Sequence, residues 1–110
     1  MQVPHGPYLR PWPVSDLRLC VGPGWGDIVE ALVADLFAAG WDGSVHQVKE
    51  KFGGLRFYIG YGNDEMYNLI DAAERQSFKT CEHCGTTDNV EVKADHGWIQ
   101  TLCTACRQGA

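Results

Sequence analysis

Two Cys-x2-Cys pairs, Cys81 with Cys84 and Cys103 with Cys106, stand eighteen residues apart in the last third of the chain, and no other feature limits the fold so strongly. A pair at this spacing folds back as a knuckle offering two thiolates, and two knuckles supply the four ligands of a tetrahedral Zn2+ site. Such a site leaves no open position for water, so the expected zinc is structural and not a catalyst. Gly85, directly after the second cysteine, allows the tight turn of a knuckle, and Val90 to Val92 with Trp98 to Leu102 can form a short hairpin between the halves. A redox dithiol would instead be expected between a strand and a helix in a βαβ unit, a context that this sequence does not offer. The fifth cysteine, Cys20, reads as a small buried hydrophobe.

The stretch Val45 to Tyr61, VHQVKEKFGGLRFYIGY, reads as a β-hairpin. Gly53-Gly54 can supply the positive φ angles of a two-residue primed turn. That turn would set Phe52 opposite Leu55, Lys51 opposite Arg56, Lys49 opposite Tyr58 and Val48 opposite Ile59. Alternation then puts Val48, Phe52, Leu55, Phe57 and Ile59 on one face, a core. The other face carries Gln47, Lys49, Lys51, Arg56 and Tyr58, a cationic and aromatic patch. Like charges placed opposite each other destabilise a strand pair, so Lys51 and Arg56 call for a negative neighbour. Glu74 is the internal candidate, as a structural partner of Arg56. An external anion is the functional one, gripped by the Arg56 fork and the Lys49 and Lys51 charges, with Tyr58 offering a ring for a base or another cation.

Helices are expected on either side of the hairpin. In Trp25 to Gly40, Ile28, Val29, Leu32, Val33, Leu36 and Phe37 fill one half of the helical wheel, with acids in the first turn and Gly40 placed to end it. After a turn and N-cap at Gly62 to Asp64, a second helix runs to about Lys79 on a stripe of Met66, Leu69, Ile70 and Ala73. Glu74 projects among Tyr67, Ile70 and Phe78, where a carboxylate needs a cation or a donor. Residues 1–24 carry all five prolines and read as an extended arm, with Tyr8, Trp12, Val14 and Leu17 as possible anchors.

The expected architecture is therefore α+β. It comprises a Pro-rich arm over residues 1–24, a helix, β-hairpin, helix core over residues 25–79, and a zinc-ribbon or treble-clef-like module over residues 80–110. A chain of 110 residues has a limited core, and zinc would be its staple. A net charge of -5 argues against loose nucleic-acid binding through bulk electrostatics, although three of the nine bases lie between Lys49 and Arg56. The sequence has no apolar run of spanning length and no signal-peptide pattern, so a cytosolic protein without membrane contact is expected. The odd cysteine count suits that compartment.

Asp95-His96, between the knuckles, resembles a fragment of the HNH endonucleases, in which treble-clef knuckles flank an Asp-His pair whose histidine is the general base. Only six residues separate His96 from Cys103, too few for the further strand, Asn and helix that complete that site. A nucleic-acid enzyme is thus the minor reading, and the sequence carries no Ser-His-Asp or Cys-His pattern and no P-loop.

A wider resemblance covers most of residues 24–106. It is carried by Gly24-Trp25-Gly26, the run Gln47-Val48-Lys49-Glu50-Lys51-Phe52-Gly53-Gly54-Leu55-Arg56-Phe57-Tyr58, Ala73 to Ser77, Cys81 to Gly85, Gly97-Trp98 and Thr101 to Cys106. Through these the chain resembles a family of small bacteriophage and prophage proteins that brings no assigned activity or catalytic residues. The resemblance implies a phage accessory protein in the host cytosol, and the missing catalytic patterns point to binding without catalysis. Its expected partner is a host protein, in the manner of a defence inhibitor. An anionic nucleotide signal held on the hairpin face, or nucleic acid, is the alternative.

Overall fold

The computed structural model describes Leu17, residues 19–95 and 97–109, with the side chain of Asp95 excepted. Tyr8, Trp12, Val14 and the Asp95-His96 pair, as side chains, lie outside the described residues. After a 3-10 turn at Pro23–Trp25 come α1 (Gly26–Ala38), β1 (Val45–Lys51), β2 (Gly54–Ile59), α2 (Asp64–Ser77), β3 (Val90–Asp95), β4 (Trp98–Cys103) and α3 (Thr104–Gly109). The strands form two separate antiparallel hairpins, so the fold is α+β as expected.

A two-stranded sheet cannot bury its own apolar face, and α1 and α2 supply the cover. Val48, Leu55 and Phe57 meet Val29, Leu32 and Leu36 of α1 and Met66 and Ala73 of α2 in one buried cluster, which Leu17, Trp25 and Trp41 complete. Asn63 caps α2 by accepting from Met66 N at 3.0 Å. Phe37, expected on the core side of α1, is 44% exposed and lies 4.8 Å, centroid to centroid, from the Trp41 ring.

The first hairpin corrects the expected register. Its turn is centred on Phe52 and Gly53, both at positive φ (55° and 83°), and not on Gly53-Gly54. Lys49 therefore opposes Arg56, Val48 opposes Phe57, Gln47 opposes Tyr58 and Lys51 opposes Gly54, with an irregularity between Val45 and Gln47. Phe52 leaves the core face and is 64% exposed. A bulky residue in the left-handed region costs about 1–2 kcal/mol, and leaving a phenyl ring in water forgoes roughly another 1.5–3 kcal/mol. Contacts at the two glycines offset this. The Thr101 hydroxyl donates to Gly53 O, Gly53 N donates to Glu50 Oε2 at 2.7 Å, and Leu55 N donates to the buried Ser77 hydroxyl at 2.9 Å. Gly54 lies under the Phe78 ring, where a Cβ would stand 2.4 Å from Cζ. Buried hydrogen bonds contribute about 0.5–1.5 kcal/mol each, so together they can hold the turn one residue early.

Phe52→Asn is expected to raise the thermal stability of dilute protein by roughly 1 kcal/mol, since asparagine tolerates the left-handed region that a primed turn imposes on Phe52. Thermal melts of both proteins check this, and a lower midpoint for the variant would mean that the Phe52 ring stabilises the fold.

Candidate metal centre

The second hairpin sets the two knuckles face to face. Cys81 and Cys84 belong to the turn after α2, while Cys103 ends β4 and Cys106 lies in the first turn of α3. A ligand pair at a strand-to-helix junction makes the module treble-clef-like, because in a ribbon the second pair would sit in a hairpin turn. The four Sγ atoms lie within 4.8 Å of one another, and Cys84 Sγ stands 3.8 Å from Cys103 Sγ. Four sulfurs at about 2.3 Å from a tetrahedral Zn2+ are about 3.8 Å apart, so the spacing fits that ion. The donor set fits as well, since four soft thiolates suit zinc.

Backbone N–H groups already favour negative sulfur. Cys84 N donates to Cys81 Sγ at 3.5 Å and Cys106 N to Cys103 Sγ at 3.3 Å, the same local hydrogen bond in both knuckles. Burial pushes the Cys81 thiol up, but the backbone hydrogen bonds at Cys84, Cys103 and His83 outweigh it and bring the thiol down to about 6. Cys106 is pushed up to about 12, first by its hydrogen bond with the Cys103 side chain and then by burial. The first thiolate to form thus suppresses ionisation of a neighbour, and a divalent cation relieves that conflict. His83 Nδ1 lies 3.4 Å from Cys106 Sγ, beside a ligand. Glu82 is half-buried, which raises its carboxyl, and its Oε2 accepts from Thr101 N at 3.4 Å.

The knuckle is also fastened to the helical part of the chain. Gly24 N donates to Glu82 O at 2.9 Å, and the indole Nε1 of Trp25, fully buried, donates to Thr80 O at 2.9 Å. On the other side, the Thr101 hydroxyl holds the turn of the first hairpin. No local pattern signals these three contacts, although the Gly-Trp-Gly motif at residues 24–26 supplies one end of two of them.

The remaining candidate residues, Lys49, Lys51, Arg56 and Tyr58 of the first hairpin and Glu74 of α2, do not join the cysteines. Arg56 Nη1 pairs with Glu74 Oε2 at 3.2 Å, with both side chains about a third exposed (31% and 28%). Arg56 Nε is buried with no hydrogen-bond partner among the described residues. Lys49 is half-buried opposite Arg56, Lys51 is exposed with Nζ 5.6 Å from the Phe52 ring centroid, and Tyr58 is 43% exposed. The like-charged pair across the strands is thus Lys49 with Arg56, and Glu74 is its negative neighbour. Arg56→Ala is expected to cost about 1 kcal/mol or less, since the pair is partly solvated. Lys49→Ala should leave the midpoint unchanged within error, and thermal melts of the two variants separate the roles.

Among the described residues no helix is long and apolar enough to cross a membrane. Comparison with protein-family models, with curated proteins and with solved structures gave no match.

Proposed function

We propose that this chain is a zinc-stapled binding protein without catalytic activity, which presents the Lys49 to Gly54 hairpin end to a host protein as a phage-encoded inhibitor of host defence. The observation that carries the reading is the Thr101 to Gly53 contact, through which the zinc module braces an exposed hairpin tip. A closed four-thiolate site has no position for substrate, so bracing is the role its chemistry suits. The braced end offers what protein interfaces favour, an exposed aromatic anchor, Phe52, with the Lys51 ammonium beside its ring. The phage and inhibitor parts of the proposal rest on the sequence resemblance.

Retention of an anionic nucleotide on the same face is the weaker reading. Arg56, the residue suited to grip a phosphate with two parallel hydrogen bonds, is engaged by Glu74. An affinity experiment with the zinc-loaded chain separates the possibilities. The proposal expects one host protein captured in near-stoichiometric amount, and lost with Lys49→Ala combined with Lys51→Ala while zinc and fold persist. Stoichiometric nucleotide released on heating, or metal-dependent nicking of a plasmid, would overturn it.

A further inference from the structure

The tip and a groove elsewhere on the molecule are chemically matched. At the tip, Phe52 is exposed with the Lys51 ammonium beside its ring, and the Glu50 carboxylate accepts from Gly53 N. The tip therefore presents a phenyl ring and a positive charge. Between α1 and α2, on the side of the first knuckle, the small side chains of Ala31 and Ala72 leave a groove of about 490 Å3 beside Leu69. Asp27, Asp35 and Gln76 line it, and among the described residues no lysine, arginine or histidine contributes to its walls.

We propose that the chain self-associates by inserting the tip of one copy into the α1–α2 groove of another. Phe52 packs on Leu69, Ala31 and Ala72, and the Lys51 ammonium sits against Asp35. An aromatic anchor in an apolar pocket with a complementary charge at its rim is the arrangement that concentrates binding energy and fixes orientation. The Asp35 carboxylate at the groove disfavours phosphate and complements the Lys51 ammonium beside the Phe52 ring, so the tip of a second copy, and not a nucleic acid, is the occupant its charge and apolar floor suit. Tip and groove are different surfaces, so the contact is head-to-tail and either closes into a ring or adds further chains. This goes beyond the target-binding proposal, and the purified chain alone tests it.

The test is sedimentation velocity with light scattering on the zinc-loaded chain at low salt, from micromolar to millimolar concentration. The expected mass rises above one chain with concentration and falls back as salt is added. F52N (a lost tip with an intact groove) and D35K (an intact tip with a lost groove) should each remain single chains. An equal mixture of the two should form a complex of two chains, because one intact tip still meets one intact groove. If D35K does not fold, D35N replaces it. A wild-type chain that stays single throughout, association that survives both substitutions, or mass carried by co-purified nucleic acid would each overturn the proposal. Zinc content and melting midpoint of every variant separate loss of association from loss of fold.

Discussion

Cys103→Ser is expected to unfold the C-terminal third of the chain and to lower the melting temperature of the remainder. Cys103 is 4% exposed and joins β4 to α3, so its thiolate ties both halves of the module to the first knuckle. The apolar cluster it belongs to is small: Cys81, Leu102 and Cys103 are buried, with Val90 and Cys106 packed against them. A core of that size cannot offset the entropy of ordering some thirty residues at about 1–2 kcal/mol each for the backbone. Structural zinc binding supplies about 10–16 kcal/mol, and that binding energy is folding energy. The effect spreads because Thr101 holds the first hairpin turn and Thr80 holds the Trp25 indole. Amide spectra and thermal melts of the variant check this, and a chelator added to the reduced wild type should reproduce the result. A Cys103→Ser protein with an unchanged spectrum and midpoint would refute the coupling.

Gly24→Ala should approach the severity of a large core substitution, although it adds one methyl group. A Cβ on Gly24 would stand 2.1 Å from Cys81 O and 2.6 Å from Gly85 N, both of them backbone atoms of the knuckle. The three nearest atoms are all backbone, so either the 3-10 turn at Pro23–Trp25 or the knuckle must move. Overpacking costs about 1–3 kcal/mol and occasionally more. The upper end is expected, because displacement also breaks the Gly24 to Glu82 and Trp25 to Thr80 hydrogen bonds. For a domain of about this size the melting temperature should fall by about 10 °C or more, and a metal ion held by the four cysteines should leave to a chelator more readily. Gly109→Ala is the control, since a Cβ there meets nothing within 4 Å. Equal midpoints for the two variants would show that the close approach carries no energetic weight.

The cysteine pairs were legible because ligand spacing is a local property, written into residues 81–106 wherever the rest of the chain goes. The helices were legible for a similar reason: Leu32 and Leu36, or Met66 and Ala73, show their shared face through periodicity alone. The hairpin was legible in its faces and illegible in its pairs. Moving a two-residue turn by one position changes every partner by two residues, and a shift of two leaves each side chain on its own face. Val48, Leu55, Phe57 and Ile59 are therefore buried as the alternation required, although Val48 meets Phe57 and not Ile59. Two of the contacts that hold the shifted turn come from far along the chain, Thr101 on Gly53 and Ser77 on Leu55, and no local pattern carries that information. The pull of Thr80 on Trp25 is hidden in the same way.

Those distant contacts also set an order of events for assembly. The Trp25 to Thr80 and Thr101 to Gly53 hydrogen bonds span fifty-five and forty-eight residues, whereas each cysteine pair closes a loop of two intervening residues. Closing a long loop costs more chain entropy before any contact rewards it, so distant pairings form slowly. A metal ion added to the reduced, metal-free chain should thus be captured by one knuckle early. The Trp25 indole should report its burial only after α1, the first hairpin and α2 have come together, so ligation and tryptophan fluorescence would follow separate time courses in a chain this short.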